Sequence, residues 1–215
     1  DEHIALVGRN GSGKSTLSKL ITLHHRPASG TIAFDGVVVD SSNITGFRRG
    51  IAAIYSDYYL FDRVLGSGDR DIEQDVVAYL KALGLDQKVT FREGRFSTLA
   101  LSDGQKRRLA LVAAYLEDAE LYLFDEWAAD QDPTFKAVFY NRILPDLKSR
   151  GKAIVAITHD DRFFHLADRL IVMNEGMIAA PDVVGTLTEL LLNGPPASSN
   201  TMSRHEQVAP SPAHN

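Results

Sequence analysis

The sequence predicts an α/β domain organised around a mostly parallel sheet. Short β-rich apolar runs alternate with stretches of helical periodicity, which is typical of parallel strands connected through helices on both faces of a sheet. The glycine-rich stretch GRNGSGKST (8–16) lies between the first apolar run and the first helical stretch. Further β-rich pairs joined by tight turns predict short antiparallel elements beside the parallel sheet.

The N-terminal third predicts a strand, a helix, a hairpin and a second strand. HIALV is apolar, leads into the glycine loop and predicts a buried strand. The helix after the loop has an apolar stripe formed by Leu17, Leu20, Ile21 and Leu23. Asp35-Gly36 stands between two β-branched runs and predicts a hairpin, and IAAIYS predicts the next buried strand.

Residues 60–117 differ in composition from the segments around them. They contain an amphipathic helix at DIEQDVVAYLKAL, a charged loop at FREGRF and a helix through RRLALVAAYL that Ser102 can cap. We interpret this region as a helical subdomain inserted in the α/β scaffold.

The alternation of predicted strands and helices then continues to the end of the domain. The predicted elements are a strand at LYLFD, a helix over PTFKAVFYNRILPDL, a strand at AIVAIT and a final hairpin formed by RLIVMN and GMIAA. From Gly194 onward the chain is rich in Pro and Ser and lacks periodicity. This composition predicts one domain over 1–193 and a disordered tail over 194–215.

Composition excludes several classes of function. The net charge of -5 provides no broad basic surface, so we expect no nucleic acid partner. The absence of cysteine excludes disulfides and thiolate metal sites. No apolar run in the sequence reaches the roughly 18 residues that a membrane span requires.

The glycine loop matches the phosphate-binding pattern G-x-x-x-x-G-K-[ST] in a strand–loop–helix context. Its glycines allow backbone N–H groups to surround phosphate oxygens, Lys14 adds a charge over the β- and γ-phosphates, and Ser15 offers a hydroxyl to Mg²⁺. The alternative is a glycine-rich turn with an incidental lysine. The predicted nucleotide-binding residues are Gly8, Arg9, Asn10, Gly11, Ser12, Gly13, Lys14, Ser15 and Thr16.

Two adjacent carboxylates end the strand LYLFD. Asp125 lies where open α/β sheets place ligands and can hold Mg²⁺, and Glu126 is positioned to activate or orient water for attack on the γ-phosphate. The alternative is a pair of solvated carboxylates. A further anion site is predicted at LSDGQ, where a serine and a glycine begin a helix. One domain does not need two such sites for one ATP, so we expect this site to serve the ATP of a second copy.

These motifs occur in a characteristic order. GRNGSGKST, LSDGQ, LYLFDE and the His159 of AITHDD resemble the Walker A, signature, Walker B and switch-histidine motifs of an ABC transporter ATPase domain, over residues 3–190. The resemblance implies a P-loop NTPase fold that binds ATP and Mg²⁺ and hydrolyses ATP as a pair of copies.

The resemblance also implies particular residue roles. Ser102, Gly104 and Gln105 would meet the γ-phosphate bound to the opposite subunit. His159 would contact the γ-phosphate and hold the closed state, although by itself it is more typical of a satisfied histidine at a strand end. Asp132 matches the aspartate of the D-loop, which crosses the dimer interface.

Three positions depart from the family pattern. Ser56 stands in place of the Q-loop glutamine that contacts Mg²⁺ and water, so we expect Ser56, through a bridging water, or the neighbouring Asp57 to replace it. Asp103 stands where the signature has glycine, and a carboxylate there repels phosphate unless it points away. Ala129 lacks the hydroxyl of the usual D-loop serine.

The stretches SDYYLFD, LSDGQ and FDEWAADQDP resemble the branch that exports cyclic peptides and siderophores of the pyoverdine and syringomycin type. This resemblance implies an N-terminal membrane domain upstream of the fragment, a peptide or siderophore cargo bound by that domain, and a place on the cytoplasmic face of the bacterial inner membrane. The aromatic residue that stacks on adenine would also lie upstream, and we interpret Tyr55 and Tyr58 as packing residues.

Other classes of function remain open from the residues alone. A soluble ABC ATPase in DNA repair or translation would lack a membrane partner. A small-molecule kinase would have no use for LSDGQ, and a non-catalytic ATP-binding module would not need Glu126.

Overall fold

The computed structural model describes residues 2–64 and 72–179. The predicted C-terminal tail and residues 65–71, which include the stretch GSGDRD, lie outside the described residues. The elements in chain order are β1 His3–Gly8, α1 Lys14–Ile21, β2 Ala33–Phe34, β3 Val37–Val38, α2 Ile44–Arg49, β4 Ile51–Ile54, α3 Glu73–Ala82, β5 Phe91–Arg92, β6 Arg95–Phe96, α4 Asp103–Glu117, β7 Leu121–Asp125, α5 Pro133–Val138, a π-helical turn Phe139–Ile143, α6 Leu144–Ser149, β8 Ala153–Ile157, a 3-10 helix Asp161–Leu166, β9 Arg169–Asn174 and β10 Met177–Ile178.

A six-stranded sheet forms the centre of the domain in the order β10-β9-β1-β8-β7-β4. Its strands pair in parallel, except that β10 is antiparallel to β9. The predicted mostly parallel sheet is therefore confirmed. Because β1, β4, β7 and β8 run in the same direction, their carboxyl ends meet at one edge, which is where parallel sheets bind ligands.

Buried side chains cover both faces of the sheet. The larger cluster includes Trp127, Tyr122, Phe124 and Phe139 together with apolar residues of α3 and α4. The smaller cluster contains Leu6, Leu123, Val155, Ile157 and Met173, with Leu17 and Ile21 of α1 packed against it. Fully buried strands require this two-sided cover, and it explains their nearly continuous apolar sequences.

The predicted hairpin at Asp35-Gly36 forms between β2 and β3, with both turn residues at positive φ. The final hairpin β9–β10 is also present. FREGRF, expected as a loop, is instead the hairpin β5–β6, because Phe91 and Phe96 lie opposite each other as a buried pair while Glu93 and Gly94 form the turn at positive φ.

Two helical details differ from the sequence pattern. Leu23 was expected on the apolar stripe of α1, but α1 ends at Ile21, and Leu23 is buried with a left-handed φ of 60°. The helix predicted from Pro133 is continuous to Ser149 but contains the π-helical turn. Pro145 explains that turn, because proline supplies no N–H and its ring excludes the carbonyl four residues earlier.

Candidate active site

The phosphate loop follows β1 and leads into α1. Only glycine fits at position 8, since a Cβ there would lie 2.4 Å from the Met173 carbonyl oxygen and 2.6 Å from Ser12 Oγ. Gly13 precedes the helix with a φ of 100°. The first-turn N–H groups of α1 have no intrahelical acceptor and are available to an anion.

Lys14 lies inside the loop and is only 6 % exposed. Its Nζ donates to the carbonyl oxygens of Gly8 at 2.6 Å and Arg9 at 3.0 Å. Burial lowers the pKa of Lys14, and the negative charges of Glu126 and Asp125 partly oppose this effect. The loop therefore holds a partly desolvated cation whose acceptors are neutral carbonyls, and a phosphate group would compensate its charge.

Ser12 Oγ is buried and has no hydrogen-bond partner among the described residues. An unsatisfied hydroxyl, free amides and a lysine inside one glycine loop fit a bound phosphate chain. Ser15 and Thr16 are exposed at the start of α1, where their hydroxyls are accessible.

Asp125 ends β7 beside the phosphate loop and is 6 % exposed. Burial raises the pKa of its carboxyl, and the charges of Glu126 and Asp57 raise it further while Lys14 opposes them. In the described part of the chain no group of three or more acidic or histidine side chains is placed to hold a metal by itself. Mg²⁺ commonly takes one or two protein oxygens and completes its shell with phosphate and water, so the pair Asp125 and Ser15 fits that ion.

Glu126 adopts a left-handed φ of 51°, which is rare for a residue with a Cβ. Its N–H donates to the Ile157 carbonyl at 3.1 Å, and its own carbonyl accepts from Ala129 N–H at 3.0 Å. Its Oε1 lies 3.1 Å from His159 Nε2. The neighbouring elements thus hold the backbone of Glu126, and His159 contacts its carboxylate.

His159 follows β8 and its side chain is about half exposed. The residue before it, Thr158, accepts hydrogen bonds at Oγ1 from Tyr140 Oη at 2.8 Å and from the Asp160 N–H at 3.0 Å. A cavity of about 320 Å³ lies beside Glu126 and His159. The structure therefore brings Lys14, Asp125, Glu126 and His159 to the carboxyl edge of the sheet, at the ends of β1, β7 and β8.

Ser102 and Gln105 form a reciprocal cap at the start of α4, which confirms the predicted capping role of Ser102. Ser102 Oγ accepts from Gln105 N–H at 3.4 Å, and Gln105 Oε1 accepts from Ser102 N–H at 3.2 Å. Asp103 is exposed and pairs with Lys106 at 3.4 Å, and the lysine charge reduces the repulsion between Asp103 and an approaching anion. Within residues 2–64 and 72–179 no hydrogen bond joins the LSDGQ segment to the phosphate loop.

Asp132 caps α5 by accepting from Phe135 N–H at 2.9 Å, and it pairs with Arg108 at 2.7 Å. The Phe135 hydrogen bond, assisted by Arg108, lowers the pKa of this carboxyl. Ala129 lies in the short loop between β7 and α5. Asp132, which the resemblance assigns to the D-loop, is therefore placed by contacts within its own chain.

Ser56 is exposed just after β4, and β4 pairs with β7 so that Ile54 lies beside Phe124. Asp57 is exposed beside Ser56, and the negative charge of Asp57 contributes to the raised pKa of Asp125. Tyr55 hydrogen-bonds to Thr22 and packs against the smaller apolar cluster. Tyr58 packs against the larger one, as the packing interpretation predicts.

A second cavity, of about 690 Å³, lies between β4 and α4 and is lined by residues 58–61 among others. Tyr59 and Phe61 on its rim are among the most exposed large apolar side chains, at 78 % and 63 %.

Several supporting residues were not predicted from the sequence. Arg107 donates to the Glu126 carbonyl, and the Trp127 indole donates to the Arg107 carbonyl. Tyr140 donates to Thr158, and the β9–β10 turn packs on the phosphate loop through a hydrogen bond from Gly176 N–H to Ser12 O at 3.0 Å. The pair Arg107-Arg108 was visible after LSDGQ, but only the tertiary structure shows which of the two is buried.

The ABC transporter family matches residues 1–129. The chain therefore belongs to this family, and it contains the family's ATP-binding ATPase domain. No helix within the two described ranges is long and apolar enough to cross a membrane.

Individual relatives agree with this assignment. The chain is 47% identical over 182 residues to the ATP-binding protein SyrD of Pseudomonas syringae pv. syringae, covering 83% of this chain and 32% of SyrD. It is 31% identical to the energy-coupling factor transporter ATP-binding protein EcfA1 of Mycoplasma pneumoniae, covering 82% of this chain and 67% of EcfA1. The chain thus spans about a third of the length of SyrD.

A solved dimeric ATP-binding cassette in a post-hydrolysis state, bound to ADP and Pi, shares the fold with a TM-score of 0.69. Its sequence is 22% identical, and the match covers 83% of this chain and 84% of the cassette.

Proposed function

We propose that this domain is the ATP-hydrolysing motor of a bacterial exporter. The observation that carries the proposal is the meeting of Lys14, Asp125, Glu126 and His159 at the carboxyl edge of one parallel sheet. These groups provide a cation for the phosphates, a carboxylate for a metal and a base beside a histidine.

The phosphate chain of ATP would lie on the amides of the glycine loop, with Lys14 turning from the Gly8 and Arg9 carbonyls toward the β- and γ-phosphates. Ser15 and Asp125 would hold Mg²⁺, directly or through water, with Ser56 or Asp57 completing the shell. When bound, Mg²⁺ supplies Lewis-acid stabilisation of the phosphate charge.

Glu126 would orient the attacking water and accept its proton, because its carboxylate is fixed by His159 and by its own constrained backbone. His159 would exchange this contact for the γ-phosphate when the site closes. Positioning and charge stabilisation supply most of the catalysis in such sites.

The second anion site at LSDGQ supports a pair of copies as the working unit. Ser102, Gly104 and Gln105 lie at a helix start that has no hydrogen bond to the phosphate loop among the described residues, and a second copy would bring its own phosphate loop to them. Each ATP would be held by the phosphate loop of one copy and the LSDGQ segment of its partner.

An export role is supported by the similarity to SyrD together with SDYYLFD, LSDGQ and FDEWAADQDP. The groove at residues 58–61 would receive an N-terminal membrane domain, and 57–65 would transmit closure to it. The cargo would be a cyclic peptide, a siderophore or its precursor, and the domain would lie on the cytoplasmic face of the inner membrane. A soluble ABC ATPase is the alternative.

The variant Glu126→Gln tests the proposal. In the complete natural protein it should bind ATP within about threefold of the parent, lose turnover by at least about a hundredfold and accumulate as ATP-bound dimers on gel filtration. In inside-out vesicles it should also abolish ATP-dependent uptake of a labelled cyclic lipopeptide.

Glu120→Gln is the matched control, since Glu120 is an exposed carboxylate paired with Lys152. Hydrolysis by Glu126→Gln at the parent rate would exclude Glu126 as the base. Normal hydrolysis by the parent protein without any lipopeptide uptake would contradict the cargo but not the ATPase.

A further inference from the structure

We infer that Arg107 is a positioning residue: it lies on α4, the helix that begins at the LSDGQ segment, and it holds Glu126 in place. Arg107 thereby couples Glu126, the proposed base of its own ATP site, to the LSDGQ segment, which would meet the ATP bound by the partner. This inference rests on the proposed function. Arg107 lies on α4, five residues after Ser102, and is only 7 % exposed.

The Arg107 guanidinium contacts three groups of the loop after β7. Its Nη1 donates to the Glu126 carbonyl at 2.8 Å and to the Trp127 carbonyl at 3.4 Å, and its Nη2 pairs with Asp130 Oδ2 at 2.5 Å. Trp127 returns a hydrogen bond from its indole Nε1 to the Arg107 carbonyl at 2.9 Å. A planar guanidinium can make these contacts at once, whereas a lysine ammonium lacks that fork.

These contacts bear directly on the strained backbone of Glu126. A left-handed φ at a residue with a Cβ persists only where the surrounding structure determines it. Arg107 binds the carbonyl that follows this φ, while the N–H before it is held by Ile157. Loss of the guanidinium would therefore allow the Glu126 backbone to relax and its carboxylate to move.

A second set of contacts joins the same two segments. Gln131 Nε2 donates to the Gly104 carbonyl at 3.0 Å, and Arg108 Nε donates to Gln131 Oε1 at 3.0 Å. A Cβ at Gly104 would lie 3.2 Å from the Asp130 carbonyl, so the helix start and the loop are in close approach. The LSDGQ segment and the Glu126 loop consequently move together.

In the proposed dimer, Arg107 would connect events at one ATP site with the base of the other site. When LSDGQ engages the γ-phosphate on the partner, a shift of α4 would be transmitted by Arg107 to the base of its own site. Arg107 need not touch ATP to affect hydrolysis.

The test is Arg107→Lys in the complete natural protein, with Arg150→Lys as the matched control because Arg150 pairs with Asp146 on α6. We expect kcat to fall by about tenfold to a hundredfold with KM for ATP within about threefold, since small misplacement of a base affects chemistry more than binding. Without nucleotide, hydrogen exchange should accelerate in the peptide over residues 126–132 and stay unchanged in β8.

A second variant separates positioning from folding. Asp130 has a half-exposed side chain, so Asp130→Ala removes the ion pair at little structural cost. It should lower kcat several-fold by itself and have no further effect in the Arg107→Lys background.

Parent-like kcat and exchange in Arg107→Lys would overturn the inference, as would an equal rise in exchange across β8, which indicates general destabilisation. If the parent itself hydrolyses no ATP, the proposed function fails, whereas the exchange measurement still decides whether Arg107 holds the Glu126 loop.

Discussion

At the scale of single residues, the site concentrates charge where water has little access. Asp125 and Lys14 are both nearly buried. Burial raises the pKa of Asp125 and lowers the pKa of Lys14, so in each case it favours the neutral form. Burial of these two charged side chains lowers the stability of the folded domain. A ligand that carries a phosphate for Lys14 and a metal ion for Asp125 would supply the opposite charge to each of them.

Asp125→Asn should stabilise the nucleotide-free domain while abolishing hydrolysis. Burial raises the folded-state pKa of Asp125, so the folded protein binds this proton more tightly than the unfolded chain does. The stability that the proton provides is present at low pH and is lost as pH rises through the unfolded and then the folded pKa. Removing the charge should therefore increase the free energy of unfolding at pH 7.

Denaturant unfolding at several pH values measures this effect. The gain should shrink as the pH falls and should vanish below about pH 3, where the carboxyl is protonated in both states. The exposed Asp86→Asn provides the control. A loss of stability in Asp125→Asn at pH 7 would contradict the argument.

At the scale of elements, the start of α4 has two roles that separate experimentally. Ser102 caps the helix, and it is also proposed to meet a phosphate on the partner. Asn and Asp are both good capping residues, so either replacement should preserve the helix.

The pair Ser102→Asn and Ser102→Asp tests the proposed phosphate contact. Both variants should melt within a few degrees of the parent, because both keep a side-chain acceptor for Gln105 N–H. The Asp variant should hydrolyse ATP at least about tenfold more slowly than the Asn variant, since a carboxylate repels the γ-phosphate. Equal rates would remove the phosphate contact from the mechanism, and thermal melting alongside turnover supplies the measurement.

At the scale of the whole molecule, the working unit is expected to be two copies related by a twofold axis, which form two identical composite sites. Consider a dimer in which one copy carries a substitution in the phosphate loop and the other copy carries a substitution in the LSDGQ segment. One of its two sites would contain both substitutions, and the other site would contain neither. Two inactive variants could therefore complement each other in a mixed dimer, which would not happen if each site lay within one copy.

Mixing Lys14→Ala with Ser102→Asp should restore activity that neither variant has alone. Half of the dimers formed at random are mixed, and one of their two sites is intact, so the rate should reach about a quarter of the parent's. ATP turnover before and after subunit exchange measures this. A rate no higher than the sum of the separate variants would indicate that each site lies within one copy.

The predictions from sequence held where local patterns are strong and weakened where contacts are distant. The glycine loop, the carboxylates after LYLFD and the cap at Ser102 each depend on neighbouring residues, so they were predicted with their positions. FREGRF was misassigned because its charged residues concealed the pairing of Phe91 with Phe96. The end of α1 was placed too late because Leu23 is buried without being helical.

The sequence by itself determined the α/β class, the phosphate loop, the acidic strand end and the order of the motifs, because each is encoded within a few consecutive residues. Only the tertiary structure decided that Arg107 rather than Arg108 donates to the Glu126 carbonyl, that His159 contacts the Glu126 carboxylate, and that Tyr140 donates to Thr158. These contacts join segments that are distant in sequence, and they depend on how the sheet edge and its covering helices pack in three dimensions.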